Sequence, residues 1–141
     1  MNLADYLIDT SALVRLLRES SIRARWEQAV AAGLVALCPL TELEFLYSAR
    51  SAADRRWLQT RLRDAYIWME MPDRIYRRAA EVQAELTAQG THRSAGPVDL
   101  LVAATAEAHQ LTLLHYDRDF DQIARVTGQP MRWLAAPGVI K

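Results

Sequence analysis

Short apolar segments alternate along this chain with segments of helical periodicity, and this alternation limits the folds open to it. Apolar runs of three to five residues lie at 6–8, 34–38, 111–114 and 131–134. Between them, apolar side chains recur at the three- and four-residue spacings typical of helices. Because parallel strands need helical crossover connections, this order predicts an α/β domain with a central parallel sheet of about four to five strands and helices on both faces.

The length and apolar content predict a single domain over residues 1–141. Of its 141 residues, 51% are hydrophobic. The middle of the chain has helical periodicity, interrupted by a possible edge strand at 67–72, and forms a predicted helical arm at about 51–90. Eight Arg and four acidic residues lie between Arg50 and Arg78. This excess is compatible with solvated helix faces and equally with an RNA-contacting arm.

The overall charge and the single cysteine exclude several classes of protein. Seventeen basic and seventeen acidic residues give a formal net charge of zero, so no global field attracts nucleic acid. Cys38 has no cysteine to pair with, and its apolar surroundings predict a buried thiol. The chain shows no signal-peptide pattern and no apolar run of membrane-spanning length. We therefore expect a cytoplasmic protein without a membrane partner.

The first apolar run ends in a carboxylate. Residues 6–8 are followed by Asp9, Thr10 and Ser11 and then by a helical pattern. Side chains of these three types all accept hydrogen bonds from the free N–H groups of a helix start, so capping alone explains this position. In a parallel sheet, however, the same position is where a strand end presents side chains to a ligand crevice.

Acidic residues recur at equivalent places along the chain. The set consists of Asp9 after the first strand, Glu42 or Glu44 after the second, Asp99 at a helix start, and Asp117 and Asp119 after a later strand. A right-handed parallel fold brings these positions to one edge of the sheet. Clustered carboxylates repel unless cations neutralise them, and oxygen ligands suit Mg²⁺ or Mn²⁺. Helix-dipole stabilisation explains each acid singly but not their recurrence.

Other catalytic and binding motifs are absent. The series Asp117, Asp119 and Asp121 begins like an EF-hand loop, but Gln122 and Gly128 stand where that loop needs glycine and glutamate. The chain has no glycine-rich phosphate loop and no GxSxG nucleophile motif.

The three histidines have no metal-ligand spacing. Of these, only His115 adjoins the acidic positions. We take it as a candidate phosphate contact.

Three segments together resemble the PIN domain family, and specifically the VapC ribonuclease toxins of type II VapBC toxin–antitoxin modules. These segments are IDTSALVRLL, CPLTELEFLYSAR and GPVDLLVAATAEAHQLTLLHYDRDF. The resemblance extends from Tyr6 to about Trp133. It implies a PIN-like three-layer α/β/α fold and a metal-dependent endoribonuclease that leaves 3′-hydroxyl and 5′-phosphate ends.

The resemblance also assigns site residues. Asp9, Asp99 and Asp117 match the three aspartates of the family pattern, and Asp119 matches the companion acid in its D-x-D-F ending. Together with a second-strand glutamate they are the implied catalytic and metal-binding residues. Thr10 and Ser11 are implied to support these ligands or to contact a phosphate.

The second-strand acid has two candidates. Family members often carry a hydroxyl residue three positions before the acid and an apolar residue after it, and Thr41, Glu44 and Phe45 fit this pattern. Glu44 is therefore preferred over Glu42. The two side chains project about 200° apart around a helix, so they cannot both face one site. His115 and Tyr116 replace a segment in which the family often has Thr or Ser.

The resemblance implies partners and leaves two alternatives. The implied partners are a structured RNA substrate such as tRNA or rRNA, a VapB-like antitoxin and a second copy of the chain. One alternative is a PIN-like RNA- or DNA-binding module with weak or no catalysis. The other is a solitary metal-dependent nuclease or phosphohydrolase, although the DxDx[TV] motif of HAD phosphohydrolases is absent after the first strand.

Overall fold

The computed structural model of the protein describes residues 4–140 and contains a five-stranded sheet with helices on both sides. The strands are β1 (Tyr6–Ile8), β2 (Val35–Leu37), β3 (Ile67–Trp68), β4 (Thr112–His115) and β5 (Met131–Trp133). The helices are α1 (Thr10–Arg18), α2 (Ser20–Ala31), α3 (Pro39–Leu46), α4 (Ala52–Ala65), α5 (Ile75–Ala88), α6 (Pro97–Ala108) and α7 (Asp119–Thr127).

All strand pairs are parallel, and the strand order is β3-β2-β1-β4-β5. The chain moves outward from β1 through β2 to β3, then returns to place β4 on the other side of β1. The order therefore reverses between β1 and β4, and the carboxyl ends of strands at such a reversal border a crevice.

The core lies on both faces of the sheet because side chains alternate along each strand. On one face, Leu7, Ala36 and Leu113 pack with the apolar sides of α5, α6 and α7. On the other face, Ile8 and Leu114 pack with α1, α2 and α4. These layers confirm the predicted α/β/α fold and its parallel sheet.

The segment predicted as a helical arm contributes to the same layers. The α5 helix buries Ile75, Ala79, Val82 and Leu86. Helical periodicity predicts one apolar stripe on α4 that contains Trp57 and Leu62; Leu62 is buried, but Trp57 is 58% exposed. Between these helices β3 pairs with the edge of β2, so the segment completes the sheet and covers it.

Two helices differ from the sequence expectations. The apolar spacing of Leu43, Leu46 and Tyr47 predicts a helix from Glu42 to Arg50. The observed helix begins at Pro39, a residue well suited to a first helical turn, and ends at Leu46. Leu46 is buried as predicted, but the prediction is wrong for Leu43 and Tyr47, which are 59% and 92% exposed.

The α7 helix was not predicted. It buries Phe120 and Ile123, three residues apart, and ends at Gly128, whose φ of 69° is left-handed. The i, i+3 spacing and the terminal glycine are the signals that identify it. Within residues 4–140, the helices are all too short or too polar to cross a membrane.

Candidate active site

The acidic positions meet at the carboxyl edge of the sheet. Asp9 follows β1, Asp117 follows β4 and Asp119 opens α7. Asp99 lies in the first turn of α6. The β1 and β4 ends flank the point where the strand order reverses, so the fold itself brings these acids to the crevice.

Asp9 caps α1 and is almost completely buried, with 2% of its surface exposed. Its Oδ2 accepts hydrogen bonds from the Ser11 amide at 2.9 Å and from the Ser11 hydroxyl. Its own amide donates to the Leu114 carbonyl at 2.9 Å, which ties the end of β1 to β4. Burial raises the pKa of Asp9 despite the bonds from Ser11, and the charge of Glu44 raises it further. Asp9 therefore caps α1 and also interacts electrostatically with Glu44 and Asp99.

Three further carboxylates converge close enough to share a cation. One oxygen from each of Asp99, Asp117 and Asp119 lies within 4.8 Å of the others. The Asp119 amide donates to Asp117 Oδ1 at 2.9 Å and so orients that carboxylate. A group of hard oxygen donors at this spacing suits a divalent metal ion.

The carboxylates of the cluster are partly buried and close together, and both effects raise the pKa values of Asp99 and Asp119. Burial raises the pKa of Asp99 to about 7, and the charges of Asp9, Asp117 and Glu44 add to the rise. Burial also raises the pKa of Asp119, with a further contribution from Asp117. A cation bound among these oxygens relieves the repulsion, so the residues present fit a metal site.

The two glutamates of α3 have different surroundings. Glu42 is 4% exposed, and its carboxylate accepts hydrogen bonds from Arg63 at 3.0 and 3.1 Å and from Gln59 at 2.9 Å. Burial raises the pKa of Glu42, but the bonds from Arg63 and Gln59 outweigh it and hold the pKa below its usual value. Glu44 is exposed, and its charge raises the pKa of both Asp9 and Asp99. Glu42 is thus engaged with Arg63 and Gln59 of α4, whereas Glu44 is exposed and its charge acts on Asp9 and Asp99.

The two hydroxyl residues after Asp9 differ in their bonding. The Ser11 hydroxyl donates to Asp9 and accepts from the Tyr116 amide at 2.9 Å, so it joins the ends of β1 and β4. The Thr10 Oγ1 atom is buried and has no hydrogen-bond partner among residues 4–140. An unsatisfied buried hydroxyl beside the cluster is a donor available to a ligand.

His115 does not occupy the position expected of a phosphate contact. It is 1% exposed and packs against the rings of Phe120 and Trp133, at centroid distances of 5.1 and 4.9 Å. A direct phosphate contact is therefore wrong for this residue, because its imidazole points into the core. Burial lowers its pKa, and Nδ1 accepts a hydrogen bond from the Asp117 amide at 3.2 Å. Its contribution to the site is to support the backbone of Asp117.

The raised pKa of Asp99 predicts a specific dependence of metal-free stability on pH. Folded Asp99 holds its proton up to about pH 7, whereas unfolded Asp releases it near 3.8. The native state thus binds more protons between these values, and Asp99 destabilises the fold progressively as pH rises through them. After allowance for solvent screening, we expect Asp99→Asn to become more stable relative to wild type by about 2 kcal/mol from pH 4 to pH 8.

Urea unfolding of both proteins in EDTA measures this difference. Comparing the variant with wild type cancels the contributions of titrating groups that do not interact with Asp99. A difference in unfolding free energy that does not change with pH would contradict the raised pKa.

Sequence and structure comparisons place the chain among known proteins. The sequence pattern of the PIN domain family matches residues 6–126. Ribonuclease VapC21 of Mycobacterium tuberculosis is 46% identical over 133 residues, covering 94% of this chain and 96% of that protein. Ribonuclease VapC51 of the same organism is 42% identical over 135 residues, covering 96% of each.

A solved structure has the same fold. The DNA-bound VapBC structure from Salmonella typhimurium contains a chain that aligns with a TM-score of 0.75 at 18% identity, covering 94% of this chain and 99% of that chain. The family match spans most of the chain, and the resemblance inferred from three sequence segments is confirmed. This chain belongs to the PIN domain family and, within that family, to the group formed by the VapC proteins.

Proposed function

We propose that this chain is a VapC-type endoribonuclease toxin that hydrolyses RNA phosphodiester bonds with Mg²⁺ or Mn²⁺. The proposed metal ligands are Asp9, Glu44, Asp99, Asp117 and Asp119. The observation that carries the proposal is the convergence of three carboxylates within 4.8 Å at the point where the strand order reverses. The two ribonucleases that share 46% and 42% of the sequence support the reaction class.

The residues of the chain have distinct tasks in this reaction. A divalent ion held by these carboxylates would supply positive charge to activate water for attack on the phosphorus and to stabilise the leaving oxygen. Because the pKa of Asp99 lies near 7, its carboxyl group would lose its proton and hold the cation at neutral pH and above. Asp9 is held in one orientation by Ser11, and Asp117 by the Asp119 amide.

Hydroxyl groups near the acids supply the remaining polar contacts. The Thr10 hydroxyl has an unused donor next to Asp9, and we assign it to a ligand or phosphate oxygen. Ser11 keeps its role as the support of Asp9. Neither residue takes part in proton transfer in this scheme.

The partners follow from the relatives. We propose a structured RNA such as tRNA or rRNA as substrate, since VapC21 and VapC51 are named ribonucleases. We propose a VapB-like antitoxin as the protein that neutralises the chain, since the Salmonella structure is a VapBC complex. A second copy of the chain is the third proposed partner.

Removal and return of the metal tests the function. The purified chain, stripped with EDTA, is expected to leave tRNA and rRNA intact and to cut them once Mg²⁺ or Mn²⁺ is restored. The products are expected to carry 5′-phosphates, detected by ligation or end-labelling. Calcium, which takes more ligands at longer distances, is the matched control ion and is expected to support less cleavage.

Two outcomes would contradict the proposal. Cleavage that persists in EDTA would exclude a metal-dependent reaction. RNA binding without cleavage under any divalent ion would favour the binding-module alternative instead.

A further inference from the structure

We infer that the C-terminal segment, residues 134–140, positions the acidic cluster through Tyr116. This inference rests on the proposed function, because the cluster is the proposed metal site. Tyr116 follows the buried His115 at the end of β4 and precedes Asp117. Its side chain contacts residues 134–140, and its backbone amide contacts Ser11 beside the acidic cluster.

The side chain of Tyr116 is held on several sides. It is 8% exposed, and its hydroxyl accepts a hydrogen bond from the Ile140 amide at 2.7 Å and donates to the Ile140 carbonyl at 3.1 Å. Its ring meets Trp133 edge-on at 5.4 Å and lies 4.8 Å from the Arg15 guanidinium carbon. The hydroxyl is therefore the point at which the end of the chain attaches to β4.

The backbone of Tyr116 continues this connection into the site. Its amide donates to the Ser11 hydroxyl at 2.9 Å, and that hydroxyl donates to Asp9. The Arg15 guanidinium also donates to the Ser11 carbonyl at 2.9 Å, so the same arginine touches both residues. A shift of Tyr116 consequently moves Ser11 on one side and Asp117, its neighbour in the chain, on the other.

The attachment at Ile140 is separate from the contacts that hold the beginning of the segment. The Trp26 indole donates to the Leu134 carbonyl at 3.1 Å, and the Leu134 amide donates to the His115 carbonyl at 2.8 Å. These bonds hold residue 134 without Tyr116. The bond to Ile140 instead restrains the Tyr116 ring, and metal ligands need restraint to within about 0.5 Å for full affinity.

The test compares two tyrosines that lose only a hydroxyl. Tyr116→Phe keeps the ring contacts and removes both bonds to Ile140 together with the longer bond to the Ala136 carbonyl at 3.4 Å. Tyr66→Phe is the matched control, since Tyr66 is 6% exposed in the same core but precedes β3, at the opposite edge of the sheet. The readouts are the Kd for Mn²⁺ alone, by calorimetry on the full chain, and the kcat and KM for RNA cleavage.

We expect Tyr116→Phe to raise the Mn²⁺ Kd about 10-fold and to lower kcat with little change in KM, because supports of metal ligands typically have effects of this size. Tyr66→Phe is expected to leave both unchanged. Ile140→Pro removes the amide that donates to the Tyr116 hydroxyl but keeps the Ile140 carbonyl, and its effect is expected not to add to that of Tyr116→Phe.

Equal Mn²⁺ affinities in Tyr116→Phe and Tyr66→Phe would overturn the positioning role. A wild-type chain that binds Mn²⁺ but cuts no RNA would instead overturn the proposed function. In that case the two Mn²⁺ affinities still decide whether Tyr116 positions the cluster.

Discussion

Asp9→Asn and Asp99→Asn are each expected to lower metal-dependent RNA cleavage about 1000-fold or more, equivalent to about 4 kcal/mol of lost transition-state stabilisation. Each substitution removes one negative charge from a pocket whose carboxylates raise one another's pKa values. Cleavage is measured under single-turnover conditions in Mn²⁺, and growth arrest on expression gives an independent readout.

The melting temperature of each variant distinguishes a loss of cleavage activity from a loss of folded protein. Asp99→Asn removes a carboxylate that is costly to ionise in the metal-free fold, so the variant is expected to melt at or above the wild-type temperature at pH 8. The matched control is Asp73→Asn, at an exposed position before α5, which is expected to cut RNA normally. Unchanged cleavage by either active-site variant would refute the assignment of these acids.

The second large effect concerns the two glutamates of α3, for which opposite outcomes are expected. Glu44→Ala is expected to lower cleavage about 100-fold and to leave the melting temperature nearly unchanged, because Glu44 is exposed and its charge acts on Asp9 and Asp99. Glu42→Ala is expected to keep cleavage and to lower Tm by about 5 °C, because it removes the hydrogen bonds from Arg63 and Gln59.

The pH dependence of the Glu42 effect provides an internal check. The folded pKa of Glu42 is lowered, so its stabilising contribution is present above the unfolded value of 4.5 and is lost as pH falls through the folded value. The Tm difference between wild type and Glu42→Ala is therefore expected to shrink in acid. If instead Glu42→Ala abolishes cleavage at full stability, Glu42 is the site acid.

Local patterns predicted most of the fold because they depend on neighbouring residues. The apolar runs marked β1, β2, β4 and β5 to within one or two residues. Parallel pairing followed from the helices between them. The α3 face was wrong because periodicity does not distinguish an apolar residue that packs from one that stays in water, and Leu43 and Tyr47 stay in water.

In the candidate site too, some features were predictable from local sequence and others depend on tertiary packing. The positions of Asp99, Asp117 and Asp119 at element boundaries were sufficient to predict that these three carboxylates lie close together. The burial of His115 between Phe120 and Trp133 was not predictable, because it depends on how α7 and β5 pack on β4. The bond between Tyr116 and Ile140 joins residues 24 positions apart and has no local signature.

By itself, the sequence determined the parallel α/β architecture, the family and the recurrence of acids at strand ends. Those features arise from periodicity and from residue types at fixed local spacings. Only the tertiary structure decided that Glu42 is held by α4, since Arg63 lies 21 residues beyond Glu42 and donates hydrogen bonds to its carboxylate. It also decided that Asp99 has a pKa near 7, because desolvation and charge repulsion depend on distances that only the folded chain sets.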